Sequence, residues 1–401
     1  MKQSIKLLTV ALMIMGFGVQ TASAQVKRGT AAKKPATAAK KPAAQKVNNN
    51  FAILQLDEWI NQSLFEDEEN IYFLGYDSPD KNTLRAVNKQ TGEIKLVIPK
   101  KKRARPIINS AGSDGKSLFF RCMDEGIYRY NGTDIRSSEL IIKQTKPDEG
   151  YLWKAHTGNG IVFSPNGRYM CFLAGPTILF DLEQNKVVRW TMDEPEDAVV
   201  ANDGTTFKMC YIHFYRIPNT GKTHLDNSNP INREGVEKFD NKIGNGGGGD
   251  PEGCWLDADA NMFYVAMGEQ VLRTPVDHVA WEEVYCLPGE NKKFTHYVCN
   301  GQRVFATTDN YEKKFYEWDN KDMKGEPKIS KEIDTGIEIK SEWSVSKEKI
   351  NDVRRLYYDK AGNLWIQIDD GRFVIYNPDG IKGLTALKGK YTKHELPKEE
   401  D

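Results

Sequence analysis

Seven times between residues 51 and 401, the sequence places an apolar run, a tight polar turn and a second apolar run in the same order. Most of these turns contain Asn, Asp or Gly, the residues that two-residue β-hairpin loops favour. The runs that follow them are rich in β-branched and aromatic residues, which is typical of strands. The turns lie at residues 68–70, 114–116, 166–168, 203–205, 259–261, 300–302 and 361–363.

A second set of turns alternates with the first and marks the points where a third strand is expected to turn into a fourth. These turns lie at residues 88–92, 131–132, 181–185, 218–221, 274–277, 319–325 and 377–380. Repeats of about 50 residues with four strands each are typical of β-propellers. The sequence therefore predicts an all-β fold, a single seven-bladed β-propeller of four-stranded antiparallel blades. Six or eight blades are the alternatives, because the unit around residues 321–352 is irregular.

The N-terminal residues divide into two segments that precede the repeats. Residues 1–25 have the pattern of a signal peptide, with Lys2 and Lys6 before an apolar run and Ala22-Ser23-Ala24 as a cleavage signal. The apolar run is too short to span a bilayer comfortably. We therefore expect cleavage near Ala24 and export to the periplasm or the cell exterior, with an N-terminal membrane anchor as the alternative.

Residues 26–50 form a Lys/Ala/Pro tract that cannot build a core, so a disordered tether is expected, followed by the propeller at residues 51–401. Nine of the 56 basic residues lie in residues 1–50, which hold no acid, and this leaves 47 basic and 56 acidic residues in the propeller. An acidic body argues against a nucleic-acid partner. The basic tract has two interpretations, a solvated tether or a contact with an anionic envelope polymer.

The cysteines are interpreted mainly as small buried side chains, since most stand inside apolar strand runs. An exported chain also permits disulfides, and Cys286 with Cys299 is the most plausible pair. The six cysteines are Cys122, Cys171, Cys210, Cys254, Cys286 and Cys299.

The candidate binding site lies on the segments that cross from one blade to the next, because these segments reach the mouth of the central channel. They are long and rich in Arg, Lys, Trp and His. Arginine binds carboxylate or sulfate, and tryptophan packs on sugar rings, so an acidic glycan or a peptidoglycan fragment is the expected ligand. The alternative is that these charges are solvated and that the tryptophans pack between blades. The candidate residues are Arg103, Arg105, Trp153, His156, Trp255, His296 and Arg354.

Neither a metal nor a cofactor is expected. His213, His224 and Asp226 do not have the spacing of a zinc site. The glycine tract at residues 246–249 lacks the Lys and Ser or Thr of a phosphate-binding loop.

The last unit carries a family resemblance. Its residues Asp359, Gly362, Asn363, Leu364, Trp365, Ile366, Gly371 and Tyr376 resemble the two-component-regulator propeller repeat. Gln367-Ile368 stands where that repeat usually has Gly-Thr. The resemblance implies an extracellular propeller of the bacterial envelope type, and it does not imply a ligand.

These features predict an exported, non-enzymatic, monomeric propeller that is not integral to a membrane and binds a glycan or an envelope protein on its loop-rich face. One alternative is an enzyme: a glycosidase would use Asp250 and Glu252, and a lyase would use His156 or His296 beside an arginine. The other alternative is a scaffold in an envelope complex.

Overall fold

The computed structural model describes fourteen segments of the chain, and within them all regular structure is β-strand. The described residues are 48–60, 64–76, 82–98, 108–122, 125–143, 160–173, 177–191, 197–210, 213–219, 237–240, 251–289, 292–309, 313–341 and 343–397. The signal segment and nearly all of the Lys/Ala/Pro tract lie outside them.

The strands follow one another along the chain as antiparallel blades. The chain enters through β1 (Phe51–Leu56) and then forms the first blade from β2 (Trp59–Ile60), β3 (Phe65–Glu66), β4 (Asn70–Tyr76), β5 (Thr83–Asn88) and β6 (Ile94–Ile98). The second blade contains β7 (Ile108–Ser113), β8 (Leu118–Cys122), β9 (Gly126–Arg129) and β10 (Glu139–Lys143). The third contains β11 (Gly160–Phe163), β12 (Tyr169–Leu173), β13 (Thr177–Asp181) and β14 (Lys186–Thr191).

The next three blades repeat this order. The fourth contains β15 (Asp197–Val200), β16 (Thr206–Cys210), β17 (His213–Ile217) and β18 (Glu237–Asp240). The fifth contains β19 (Pro251–Asp257), β20 (Met262–Met267), β21 (Gln270–Pro275) and β22 (Glu282–Cys286). The sixth contains β23 (Lys293–Cys299), β24 (Val304–Asp309), β25 (Lys314–Trp318) and β26 (Lys328–Ser330).

A two-stranded hairpin, β27 (Ile333–Lys340) with β28 (Val345–Ile350), separates the sixth blade from the seventh. It accounts for the irregular unit at residues 321–352 and is an insertion, not a blade. The seventh blade then contains β29 (Arg355–Tyr358), β30 (Leu364–Gln367) and β31 (Arg372–Tyr376), with β32 (Tyr391–His394) at its outer edge. The prediction of a seven-bladed β-propeller is confirmed.

The ring closes in the seventh blade, where β1 supplies the fourth strand. It pairs antiparallel with β31, with Phe51 opposite Tyr376, and parallel with β32, with Ile53 opposite Tyr391. The expectation that the turn at residues 377–380 leads into a fourth strand is therefore wrong. The other end of the chain provides that strand, and the shared hydrogen bonds seal the ring.

Residues 381–390 strengthen this closure by reaching back to the first blade. The backbone N–H of Leu384 donates to the carbonyl of Lys89 at 2.8 Å, and that of Ala386 donates to the carbonyl of Thr91 at 2.8 Å. The side chains of Leu384 and Leu387 are buried with those of the first and seventh blades. The C-terminal segment thus joins the last blade to the first.

The hydrophobic core is divided into clusters that each lie between two neighbouring blades. Strand side chains alternate between the two faces, and both faces of a blade are covered, so consecutive residues enter different clusters. Phe119 packs between the second and third blades, and Phe120 packs between the first and second. Between the fourth and fifth blades, Phe207 stacks on Phe263 with ring centroids 4.1 Å apart. For this reason strands such as β12 and β20 are apolar throughout and do not alternate with polar residues.

Charged side chains also connect neighbouring blades. Lys321 of the sixth blade pairs with Asp257 of the fifth, and Arg273 of the fifth binds Asp322 of the sixth at 2.7 Å. Arg216 of the fourth blade donates from Nε to the Val276 carbonyl of the fifth at 2.8 Å. Each of these cations contacts an oxygen of a neighbouring blade.

Candidate functional site

The central channel is enclosed by the first strand of each blade, and these strands contact one another around the axis. Two cavities of about 410 and 310 Å³ lie along it. The larger one faces the first three blades, and the smaller one faces the fourth to seventh blades. Leu64, Asp197 and Tyr357 line both cavities, so they mark the place where the cavities meet.

Asp197 is the first residue of β15, and its carboxylate has few partners. Oδ1 accepts a hydrogen bond from the backbone N–H of Ala198 at 2.8 Å, and the thiol of Cys254 donates to Oδ2 at 3.7 Å. No basic side chain among the described residues pairs with it. Burial inside the ring disfavours the charged form and raises the pKa of Asp197 to about 6.

Cys254 faces Asp197 from β19. Burial, together with the nearby carboxylate, raises the pKa of its thiol well above the ordinary value. The thiol is therefore neutral across the physiological range, and a thiol is a weak hydrogen-bond donor. Cys254 gives Asp197 little compensation for its charge.

Arg355, the first residue of β29, lines the smaller cavity together with Asp197. Its guanidinium forms no ion pair or hydrogen bond with the part of the chain that the structure describes. Burial lowers the pKa of Arg355, but arginine stays charged at physiological pH. The smaller cavity thus holds a cation and an anion that do not pair with each other.

His296 lies in the wall of the smaller cavity with both ring nitrogens engaged. Nε2 lies 2.9 Å from the carbonyl oxygen of Arg354, and Nδ1 lies 3.0 Å from Oγ1 of Thr307. A carbonyl only accepts, so Nε2 carries the hydrogen and Nδ1 accepts from the threonine hydroxyl. Burial lowers the pKa of His296, which favours this neutral form. Its nitrogens join strands, and neither is free to act as the base of a lyase.

The other predicted site residues either do not line the smaller cavity or lie outside the described residues. The guanidinium of Arg354 pairs with Asp370, and its side chain does not line the cavity. Trp255 packs between the fifth and sixth blades, with its ring 4.9 Å from that of Tyr264. Arg103, Arg105, Trp153 and His156 lie outside the described residues. The structure brings the ring of His296 to the backbone of Arg354 and places Trp255 in the packing between blades.

The residues proposed for the alternatives are located only in part. Asp250 lies outside the described residues, and Glu252 is placed by its backbone alone, in β19. Among the described residues, no group of three or more His, Cys, Asp or Glu side chains is arranged to hold a metal ion. In the same part of the chain, no helix is long and apolar enough to cross a membrane.

Five cysteines are free thiols, and Cys210 is placed by its backbone alone: the five are Cys122, Cys171, Cys254, Cys286 and Cys299. Cys122, Cys171 and Cys299 are buried, as the interpretation of small buried side chains predicts. Cys286 and Cys299 do not form the disulfide considered above.

The residues that carry the resemblance in the last unit form a buried hydrogen-bond cluster. Asp359 Oδ2 accepts from Asn363 Nδ2 at 2.9 Å and from Trp365 Nε1 at 3.0 Å. All three side chains are buried. This part of the motif therefore stabilises the turn between β29 and β30 and packs the blade.

The channel wall includes Asp197, Cys254, Arg355 and Tyr357. None of them is among the binding residues predicted from the sequence. The available signal is position, because Asp197 and Arg355 each stand directly before an apolar first-strand run. A charged residue at the start of a first strand lies near the axis.

Comparisons with known proteins support the fold. No family model and no curated protein matches the sequence significantly. Among solved structures, the extracellular domain of the putative one-component system BT4673 from B. thetaiotaomicron aligns with a TM-score of 0.51 and 12% identity, over 81% of this chain and 39% of that one. A chain of the mitotic checkpoint complex aligns with a TM-score of 0.50 and 10% identity, over 85% of this chain and 99% of that one. At these identities the likeness concerns the fold alone.

Proposed function

We propose that this protein is an exported, non-enzymatic β-propeller whose central channel binds the anionic group of a ligand. The observation that carries the proposal is Arg355, whose guanidinium lines the smaller cavity without a described partner. A guanidinium binds carboxylate or sulfate through two parallel hydrogen bonds, and the exposed side chain of Arg355 is accessible to such a group. An acidic glycan or a peptidoglycan fragment carries the required group.

Two residues of the cavity wall that could act as an acid or a base, His296 and Tyr357, are engaged by hydrogen bonds within the protein. His296 is held neutral by two hydrogen bonds within the protein. Tyr357 donates its hydroxyl to Glu66 Oε1 at 2.9 Å, and burial raises its pKa well above the ordinary value. A general acid or base needs a pKa near the working pH and a free position facing the ligand. Neither residue meets this condition.

The test compares two neighbouring arginines. Arg355→Ala is expected to weaken the binding of uronic-acid oligosaccharides or muramic-acid fragments by roughly tenfold to a hundredfold, because it removes a charge-assisted hydrogen bond. Arg354→Ala is the matched control, since that guanidinium pairs with Asp370 outside the cavity. Isothermal titration calorimetry measures both affinities. Equal affinities for the wild type and Arg355→Ala would contradict the proposal.

Export is tested separately. The mature protein is expected to begin at Gln25, because cleavage follows the small residues Ala22-Ser23-Ala24. Mass spectrometry of the protein recovered from the periplasm and the medium measures its N-terminus. An intact Met1 in a membrane fraction would instead support the N-terminal anchor.

A further inference from the structure

We propose that the ligand is a small zwitterion, and that Asp197 receives its cationic nitrogen while Arg355 receives its anionic group. This inference rests on the proposed function and names the class of ligand that the same cavity takes. Its basis is the juxtaposition of two opposite charges in one cavity wall, neither of which the described protein neutralises.

The two charges line the same cavity without forming an ion pair. Elsewhere a cation and an anion that come together across the fold do pair, as Lys321 does with Asp257 and Arg303 does with Asp379. Asp197 is half-buried, so its unpaired charge is unfavourable and an ion pair would offset that cost, whereas Arg355 is exposed. A ligand with an ammonium and a carboxylate at matching separation would compensate both groups in one binding event.

The hydrogen bonds of Asp197 leave room for a cationic partner. Its described donors are one backbone N–H and one thiol, whereas an ionised carboxylate has about four acceptor positions. An ammonium group offers three donors and a full charge. Asp197 also lies where the two cavities meet, so a ligand bound there can extend into either one.

The wall between the two charges is partly apolar. Leu64 and Tyr357 line both cavities, and the Tyr357 hydroxyl is already engaged by Glu66. Its aromatic ring and the Leu64 side chain therefore remain as contact surface. A short carbon skeleton between the two charged ends of the ligand fits this surface. Amino acids, short peptides and amino-sugar acids share this chemistry.

Because Asp197 can be protonated below neutral pH, the binding of a zwitterion is expected to depend on pH. The groups around it are the Cys254 thiol on β19, the neutral His296 on β23, Arg355 and Tyr357 on β29, and Glu66 with Lys360 beside the larger cavity. Protonation of Asp197 removes the anion that attracts the ligand's ammonium group. Zwitterion binding is therefore expected to weaken as the pH falls from 7 to 5. Binding of a simple anion would instead be unchanged or stronger, because a nearby negative charge is lost.

The experiment uses ω-amino carboxylates of increasing length, from glycine to 6-aminohexanoate. Their affinities measure which length matches the distance between the Asp197 carboxylate and the Arg355 guanidinium. Each is titrated into the mature full-length protein by calorimetry beside the unsubstituted carboxylate of the same length. We expect one length to bind at least about tenfold more tightly than its unsubstituted partner. N-acetylation or C-amidation of that compound is expected to remove the gain. α-Amino acids, dipeptides and amino-sugar acids, tested next, distinguish the three natural sources.

Two variants separate this inference from the proposed function. Asp197→Asn keeps the shape of the side chain and should abolish the advantage of the zwitterion while retaining binding of the simple carboxylate. Arg355→Ala should weaken both compounds. If no amino carboxylate binds more tightly than its unsubstituted partner, or if Asp197→Asn leaves the advantage intact, the zwitterion proposal is wrong. If Arg355→Ala changes the affinity of neither class, the proposed anion site is wrong.

Discussion

Charged side chains at the interfaces between blades pair with other protein groups, whereas two charged side chains in the wall of the central channel do not pair with each other. Between blades, Arg273 and Lys321 bind carboxylates of the neighbouring blade, and Arg216 binds backbone carbonyls. In the channel, Asp197 and Arg355 line one cavity and remain apart. Interfaces that must hold the ring closed pair their charges with other protein groups. Asp197 and Arg355 therefore do not hold blades together through an ion pair, whereas Glu66 of the larger cavity does pair, with Lys89.

The largest loss of stability is expected from a change at a blade interface. Trp365 is fully buried between the seventh and first blades, where its ring lies 5.6 Å from that of Phe73. Trp365→Ala should lower the free energy of unfolding by about 3 to 5 kcal/mol, because it leaves a cavity and removes the hydrogen bond to Asp359. Denaturant unfolding followed by circular dichroism measures it. The control is Trp343→Ala, at a side chain that is 93% exposed, where a change of comparable size would contradict this account.

A smaller loss of stability is expected when a charged side chain at a blade interface loses its partner. Burial alone would raise the pKa of Asp257, but hydrogen bonds from Lys321 and the Ala260 backbone outweigh it and lower that pKa below the ordinary value. Asp257→Asn should cost about 1 to 3 kcal/mol at pH 7. The wild-type contribution is present above the unfolded pKa and is lost as the pH falls through the folded one. The unfolding curves of wild type and variant should therefore differ at pH 7 and approach each other at pH 3, and an equal difference at both pH values would contradict this account.

The smallest effect, and the one with the opposite sign, is expected at Asp197. Its raised pKa means that the folded protein takes up a proton between about pH 6 and pH 4 that the unfolded chain does not, so this group favours folding as the pH falls. Asp197→Asn should remove that trend and stabilise the protein at pH 7 by about 1 to 2 kcal/mol, since channel solvent screens part of the penalty. Thermal unfolding from pH 4 to pH 7 measures it. A variant less stable than wild type at pH 7 would show that Asp197 has a structural role.

The sequence predicts the blades well because their determinants are local. Turn residues require particular backbone angles, as at Gly204 and Gly362, which have φ of 88° and 85°. The closing strand could not be predicted in the same way. Residues of β1 look like any other strand, and their partners in β31 lie more than 300 positions away, as for Phe51 and Tyr376. Non-local pairing leaves no local signal.

The candidate site was predicted less well for a related reason. Aromatic and charged residues of the crossing segments are the candidates that the sequence offers, but strand alternation directs neighbouring side chains to different places. On β19, Trp255 enters the packing between the fifth and sixth blades while Cys254, one position earlier, meets Asp197 in the channel. Asp197 is a single acidic residue at the start of an ordinary strand. Its importance depends on the ring that surrounds it.

The position of β1 also determines when folding can finish. This strand lies between β31 and β32, so its two edges are satisfied only by residues near the other end of the chain. Until those residues are available, β1 presents unpaired N–H and C=O groups and an apolar surface. Such long-range pairing makes folding slow and leaves aggregation-prone intermediates. Until its last blade is complete, this chain therefore exposes a strand that can pair with other chains.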